Sequence, residues 1–92
     1  LVLVEMSEAH LYEADLQLRA LMGKLGPDLI APAIIPVLGS VLDVSLMRRV
    51  IRENAIEIIF HAAAFKHVPI VEHNPVVGLQ NNTFGTCALA DV

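Results

Sequence analysis

Scarcity is the first feature of this sequence. Its 92 residues hold one cysteine, one tyrosine, three phenylalanines and no tryptophan, and only 17% of them are charged. A lone Cys87 permits neither a disulfide framework nor a thiolate metal site, and it suits a reducing, cytoplasmic compartment. With a net charge of −4 and a pI near 5.4 there is no basic stripe to neutralise phosphates, which excludes nucleic acid as a partner. Arg48, Arg49 and Arg52 do cluster, but Glu53 stands beside them and the group reads as a solvated helix face. No apolar run reaches the roughly 18 residues that a membrane span requires, because charges or prolines interrupt each candidate. Also missing are an initiator methionine, a signal-peptide charge pattern, a nucleophile elbow and a phosphate-binding P-loop.

What is abundant is apolar surface. Hydrophobic residues make up 55% of the chain, with a mean hydropathy of +0.63. A domain of this size buries on the order of 60–65% of its unfolded surface, so it needs less apolar material than this. The expectation is an internal fragment of one larger domain. The chain opens inside a strand-like Leu1-Val2-Leu3-Val4 and closes at Asp91-Val92, partway along a helix.

Read in order, Leu1–Glu5 suits a central parallel strand that ends on a carboxylate. Ser7 caps the next helix, with Glu8 in its first turn and Leu11, Ala14, Leu18, Leu21 or Met22, and Leu25 along one face. Gly23 and Gly26-Pro27 stop it, and Asp28–Pro32 is a loop. Ala33–Leu38 is a second strand in which Pro36 must sit at an edge or turn its missing N–H away from a partner. Asp43 or Ser45 caps a helix of about Val44–Asn54 with Leu46, Met47, Val50 and Ile51 apolar. A third strand is predicted over Glu57–His61, and a helix from Asn74-Pro75 through Gly78 and Gly85 towards Val92. The β-α-β-α-β-α order implies an α/β fold, a partial Rossmann-like doubly wound parallel sheet with right-handed crossovers.

The centre of interest is Ile58–Pro69. A β-branched apolar run ends at His61, three alanines follow, and then come Lys66 and His67. Ligands of open α/β sheets sit outside the carboxyl ends of the strands, and three small side chains there let a bulky group approach the backbone. Lys66 and His67 suit a diphosphate or a sugar hydroxyl; the plainer alternative is a wet loop with two ordinary polar side chains. Glu5 stands where such folds place an acid on the adenosine ribose, and a carboxylate there favours NAD over NADP by repelling a 2′-phosphate. Its plainer alternative is an ordinary strand-end acid, since no Gly-x-Gly-x-x-Gly is present. His61, His67 and His73 are spaced six apart, which fits no common zinc pattern, so no metal site is expected. His61 reads as a strand-end histidine held by backbone hydrogen bonds.

Several of these segments stand together in one order: Leu1-Val-Leu-Val-Glu-Met-Ser-Glu8, Leu11-Tyr12-Glu13, Pro36-Val37-Leu38-Gly39, His61-Ala-Ala-Ala-Phe-Lys-His-Val-Pro69, Glu72, Asn74-Pro75 and Asn82-Thr-Phe-Gly-Thr86. Together they resemble the CapD-like polysaccharide-biosynthesis proteins, nucleotide-sugar 4,6-dehydratases and epimerases of the extended short-chain dehydrogenase/reductase class. The most specific part is Ala-Ala-x-Lys-His-Val-Pro with Asn-Pro a few residues on. The resemblance implies a tightly held NAD or NADP, with NAD favoured, that takes a hydride from C4 of a UDP-linked N-acetylhexosamine. Water then leaves across C5 and C6, and the hydride returns to C6. It further implies that Glu5 meets the adenosine ribose, that Gly39 and Ser40 pass beneath the adenine, and that Ala62, Ala63 and Ala64 line the cofactor. Lys66 and His67 would face the nicotinamide and the UDP-sugar, and Asn82 would support the structure or the cofactor.

Where the family usually has Gly-Asp after the second strand, this chain has Gly39-Ser40, a hydroxyl in place of a carboxylate. The glycine-rich loop would lie upstream and the catalytic segment downstream, so no catalytic residue is assigned within these 92. An intact parent is expected to be a homo-oligomer in the cytoplasm, or the cytoplasmic part of a membrane-anchored protein. The rival readings are a nucleotide-sugar epimerase of the same class, a non-catalytic remnant that binds a nucleotide or a partner subunit, and a flavodoxin-like domain unconnected with sugars.

Overall fold

The computed structural model describes residues 1–25, 30 and 32–92. They form two compact units, Leu1–Ser40 and Val41–Val92. In the first, β1 (Val2–Glu5) leads into α1 (Glu8–Met22), and β2 (Ile35–Leu38) returns parallel to β1. The ladder sets Val2 opposite Ile35 and Glu5 opposite Leu38. Ile35 donates its N–H to the Leu1 carbonyl at 3.0 Å, and Gly39 donates to the Glu5 carbonyl at 2.9 Å. Alternation along the strand therefore turns residues 35, 37 and 39 towards β1, and the donor that Pro36 lacks would have pointed the other way. The strand starts two residues later than the sequence suggests, although the Ala33 carbonyl still accepts a bond from the Leu1 nitrogen at 2.9 Å, in the manner of a parallel ladder.

The start of α1 follows from Ser7, whose hydroxyl accepts the His10 N–H at 3.4 Å, with Glu8 in the first turn where the helix dipole favours it. Gly23 ends it. Leu11 is buried, Ala14, Leu18 and Met22 are half-buried, and Leu21 and Leu25 are exposed, so Met22 rather than Leu21 continues the apolar face. Arg19 reaches back one turn to Asp15 at 2.8 Å, and that hydrogen bond, followed by the charge attraction, raises its pKa above the ordinary value. The expected stop at Gly26-Pro27 and most of the Asp28–Pro32 loop lie outside the described residues.

The second unit begins with α2 (Val44–Glu53). Of the two candidate caps, Asp43 is the one used; its carboxylate accepts the Leu46 N–H at 2.9 Å. The helix ends with Ala55 in the left-handed region at φ 48°, Ile56 donating to the Ile51 carbonyl and Ala55 to that of Arg52. This is the hydrogen-bond pattern that glycine usually serves. Val41, Met47 and Val50 are the buried apolar side chains of this unit, and Arg48, Arg49 and Arg52 lie exposed as expected.

Two expectations need correction here. The predicted strand at Glu57–His61 has no ladder: residues 56–67 carry no regular secondary structure, with Ile58 73% and Phe60 93% exposed. β-branched composition records a preference for a packed, pleated surface, but a strand exists only once a neighbour supplies its hydrogen bonds. Second, a separate helix, α3 (Val68–His73), precedes the one expected from Asn74-Pro75; the expected helix runs on from Pro75 to Ala90 as α4 (Pro75–Leu79), a π-helical turn at Gln80–Phe84 and α5 (Gly85–Ala90). Proline stands in the first turn of both α3 and α4, where it has no N–H to lose. Asn74 does not cap α4 with its side chain; its amide donates back to the Ile70 carbonyl at 2.9 Å and closes α3. No helix among the described residues is long and apolar enough to cross a membrane.

Gly78 and Gly85 are both buried, and close packing explains each. A Cβ on Gly78 would stand 2.7 Å from Val71 Cγ1, and one on Gly85 2.8 Å from Val41 Cγ1. Alanine in a helix is ordinarily favoured over glycine by about 1 kcal/mol. Overpacking costs about 1–3 kcal/mol, so Gly85→Ala is expected to lower the melting temperature by a few degrees. A variant that melts higher would show that Val41 yields without strain.

Candidate functional site

The residues singled out from the sequence fall into two groups, one in each unit. Glu5, Gly39 and Ser40 lie together at the carboxyl ends of β1 and β2, the end of a parallel sheet where ligands bind. The 2.9 Å bond from Gly39 to the Glu5 carbonyl ties the two strand ends together. Glu5 is half-buried. Its Oε1 accepts the Ser7 N–H at 2.9 Å, while Oε2 has no partner among the described residues. The first contact orients the carboxylate, and the second oxygen remains able to accept from a hydroxyl.

The other group is a loop bound to a helix. Ala62, Ala63 and Ala64 are exposed and drawn into a tight turn by a 2.9 Å bond from the Ala64 N–H to the Ala62 carbonyl. Asn82, from the π-helical turn, accepts the Phe65 N–H at 2.8 Å and donates to the Phe65 carbonyl at 3.0 Å. One side-chain amide thus satisfies both backbone groups of Phe65, much as a neighbouring strand would. Asn81 donates to the Ala63 carbonyl at 2.7 Å and to Asn82 Oδ1 at 3.0 Å. Thr86 donates to the Asn82 carbonyl at 2.7 Å, and His61 Nε2 lies 2.9 Å from the same hydroxyl. Since the hydroxyl proton is engaged with Asn82, Nε2 serves as the donor in this contact.

His61 is therefore held by a threonine side chain, not by the backbone bonds that the sequence suggests. Lys66 and His67 are exposed, and their side chains have no hydrogen-bond or ion-pair partner among the described residues, which leaves both heads available to an anionic or hydroxyl-rich ligand. His61, His67 and His73 do not converge, and no three His, Cys, Asp or Glu side chains among the described residues form a metal-binding group.

Asn81 is the residue of this group that the sequence reading passed over. It is the one buried polar side chain among the described residues, at 6% exposure. The available signal was a pair of asparagines inside a helix, a residue type that disfavours helix interiors unless its amide is used. The π-helical turn is a second such signal visible only in three dimensions, since these wide turns gather at functional sites.

The family of polysaccharide biosynthesis proteins matches residues 1–92, the whole chain. An uncharacterized membrane protein of Methanocaldococcus jannaschii is 42% identical over 55 residues, 60% of this chain and 16% of that protein. The probable polysaccharide biosynthesis protein EpsC of Bacillus subtilis is 50% identical over 34 residues, 37% of this chain and 6% of its own. The capsular polysaccharide biosynthesis protein CapD of Staphylococcus aureus is 37% identical over 57 residues, 62% of this chain and 10% of its own. The chain thus spans less than a fifth of each of these relatives. With the family matched from the first residue to the last, the chain belongs to the polysaccharide biosynthesis proteins.

Proposed function

We propose that this chain is the cofactor-side part of an NAD(P)-dependent nucleotide-sugar 4,6-dehydratase acting on a UDP-linked N-acetylhexosamine. The observation that carries the reading is Glu5. It stands at the carboxyl end of a parallel strand beside Gly39, with one carboxylate oxygen anchored to Ser7 and the other free among the described residues. That arrangement fits an adenosine ribose, whose two hydroxyls want an acceptor, and it disfavours a 2′-phosphate, so NAD is the preferred dinucleotide. Ala62, Ala63 and Ala64 offer a second surface without bulk, suited to the remainder of the cofactor, and Lys66 with His67 suits the sugar nucleotide. When bound, the dinucleotide supplies the acceptor and donor of the C4 hydride.

The strand pairing also supports the reading. In the Rossmann order 3-2-1-4-5-6, strands 2 and 3 are neighbours, whereas strand 4 borders strand 1. If β1 and β2 are strands 2 and 3, the Ile58 run is strand 4, and its ladder belongs to a strand that carries the glycine-rich turn. Exposure of Ile58 and Phe60 agrees with that assignment. The general acid and base of the elimination belong to further segments of a longer protein, which is read as a homo-oligomer with this domain on the cytoplasmic side. A relative described as a membrane protein is in keeping with an anchored parent.

Mass spectrometry of UDP-N-acetylglucosamine incubated with the full-length protein tests the proposal, with the 92-residue piece as control. The expected product is lighter by one water, and only with the full-length protein. A product of unchanged mass but altered retention would make the protein an epimerase. No product with intact protein and added NAD(P) would indicate a non-catalytic remnant or a different sugar.

A further inference from the structure

We infer that Asn81 is a positioning residue for the alanine loop, and that through this loop it sets the affinity for a dinucleotide. The second half of the statement rests on the function proposed above; the first half does not. Asn81 is nearly shut off from solvent: it is 6% exposed, in a helix whose neighbouring Thr83 and Phe84 are exposed. Burying a primary amide is costly unless its protons are used, and here both are. One goes to the Ala63 carbonyl at 2.7 Å, the other to Asn82 Oδ1 at 3.0 Å.

The second bond has a consequence for Asn82. A side-chain amide can be turned end for end with little change of shape, and only its surroundings decide which end is oxygen. Phe65 needs an acceptor for its N–H and a donor for its carbonyl, at 2.8 and 3.0 Å. By donating to Oδ1, Asn81 favours the one orientation of Asn82 that meets both needs. It also holds Ala63 directly, so both the middle of the Ala62–Ala64 turn and the residue after it hang on this side chain. The wide π-helical turn is what lets two consecutive residues serve one loop.

Two near-isosteric variants of the full-length protein test this. Asn81→Leu removes both donors, and Asn81→Asp turns oxygens towards two acceptors. Hydrogen exchange at the Phe65 amide is the first measurement, with the amides of α2 as internal reference. Exchange at Phe65 is expected to rise about tenfold or more in both variants while α2 is unchanged, a loss of roughly 1.4 kcal/mol of local protection. Unchanged exchange at Phe65 in a folded variant would overturn the inference.

Dinucleotide affinity is the second measurement, made well below the melting temperature so that every variant is fully folded. A purely structural role would lower the melting temperature and leave this affinity alone. The expected result is a Kd raised at least fivefold, with Asn81→Leu and Asn82→Leu together costing less than the product of their separate effects. Faster Phe65 exchange with an unchanged Kd would overturn the link to the cofactor. If the unaltered protein binds neither NAD nor NADP, the dinucleotide reading fails by itself, and the exchange result still decides whether Asn81 positions the loop.

Discussion

Glu5→Gln is expected to weaken NAD binding by the full-length protein about tenfold or more while leaving its melting temperature nearly unchanged. The substitution separates the two jobs of the side chain. An amide oxygen can still accept the Ser7 N–H that Glu5 Oε1 now holds at 2.9 Å, so the end of β1 keeps its contact with the start of α1. What is lost is negative charge on the free oxygen. Hydrogen bonds to a charged group contribute about 1.5–3 kcal/mol, against about 0.5–1.5 for neutral pairs, and a difference of 1.4 kcal/mol is tenfold in affinity. NADP should respond in the opposite direction, because a carboxylate that repels a 2′-phosphate has been neutralised. Titration of both dinucleotides against variant and unaltered protein checks the prediction. Equal weakening of the two would remove the ribose contact from the proposal.

Replacing Asn82 by leucine should have the second largest effect, here on stability. The shape is nearly kept, but the N–H and carbonyl of Phe65 lose their shared partner, and Asn81 loses an acceptor. Three bonds at about 0.5–1.5 kcal/mol each would give a loss of about 1.5–4.5 kcal/mol. Phe65 is 39% exposed, and water can partly replace what Asn82 gave, so the lower half of that interval is expected. Thermal or denaturant unfolding of the variant measures it directly. A loss below about 0.5 kcal/mol would mean that the loop is held by other contacts and that the asparagine is not its latch. Asn82→Asp is the informative companion, since an acidic oxygen keeps the bond from Phe65 N–H but faces its carbonyl with a second acceptor.

How legible these features were depends on how local their causes are. Ser7 was readable as a cap, and Asp43 as one of two candidates, because a cap is a hydrogen bond to a backbone group three residues on, and both side chains accept such a bond here. The phase of Pro36 was readable for a similar reason: its missing donor leaves only one side on which a neighbour can pair. The parallel direction of β1 and β2 followed from the alternation of strands with helices. Family membership was legible as well, because short motifs such as Lys66-His67-Val68-Pro69 keep their spacing whether or not their surroundings are known.

Other features needed the third dimension. Ile58, Ile59 and Phe60 have a strand's composition, yet a strand is a relation between two segments, and composition describes only one of them. The separation of α3 from α4 turns on competition for backbone groups, which Asn74 resolves by bonding backwards to Ile70 instead of forwards. Asn81 and Asn82 looked alike in the sequence. Their division of labour, one holding Ala63 and orienting its neighbour, the other pairing with Phe65, depends on a loop some seventeen residues away in the chain being brought within 3 Å. Sequence alone thus determined where α1 and α2 begin, that Pro36 turns its missing N–H away from a partner, and which family the chain belongs to, since each is written in short-range chemistry. Which asparagine holds which part of the alanine loop was decided only by tertiary structure, because a hydrogen bond between distant residues leaves no spacing to read.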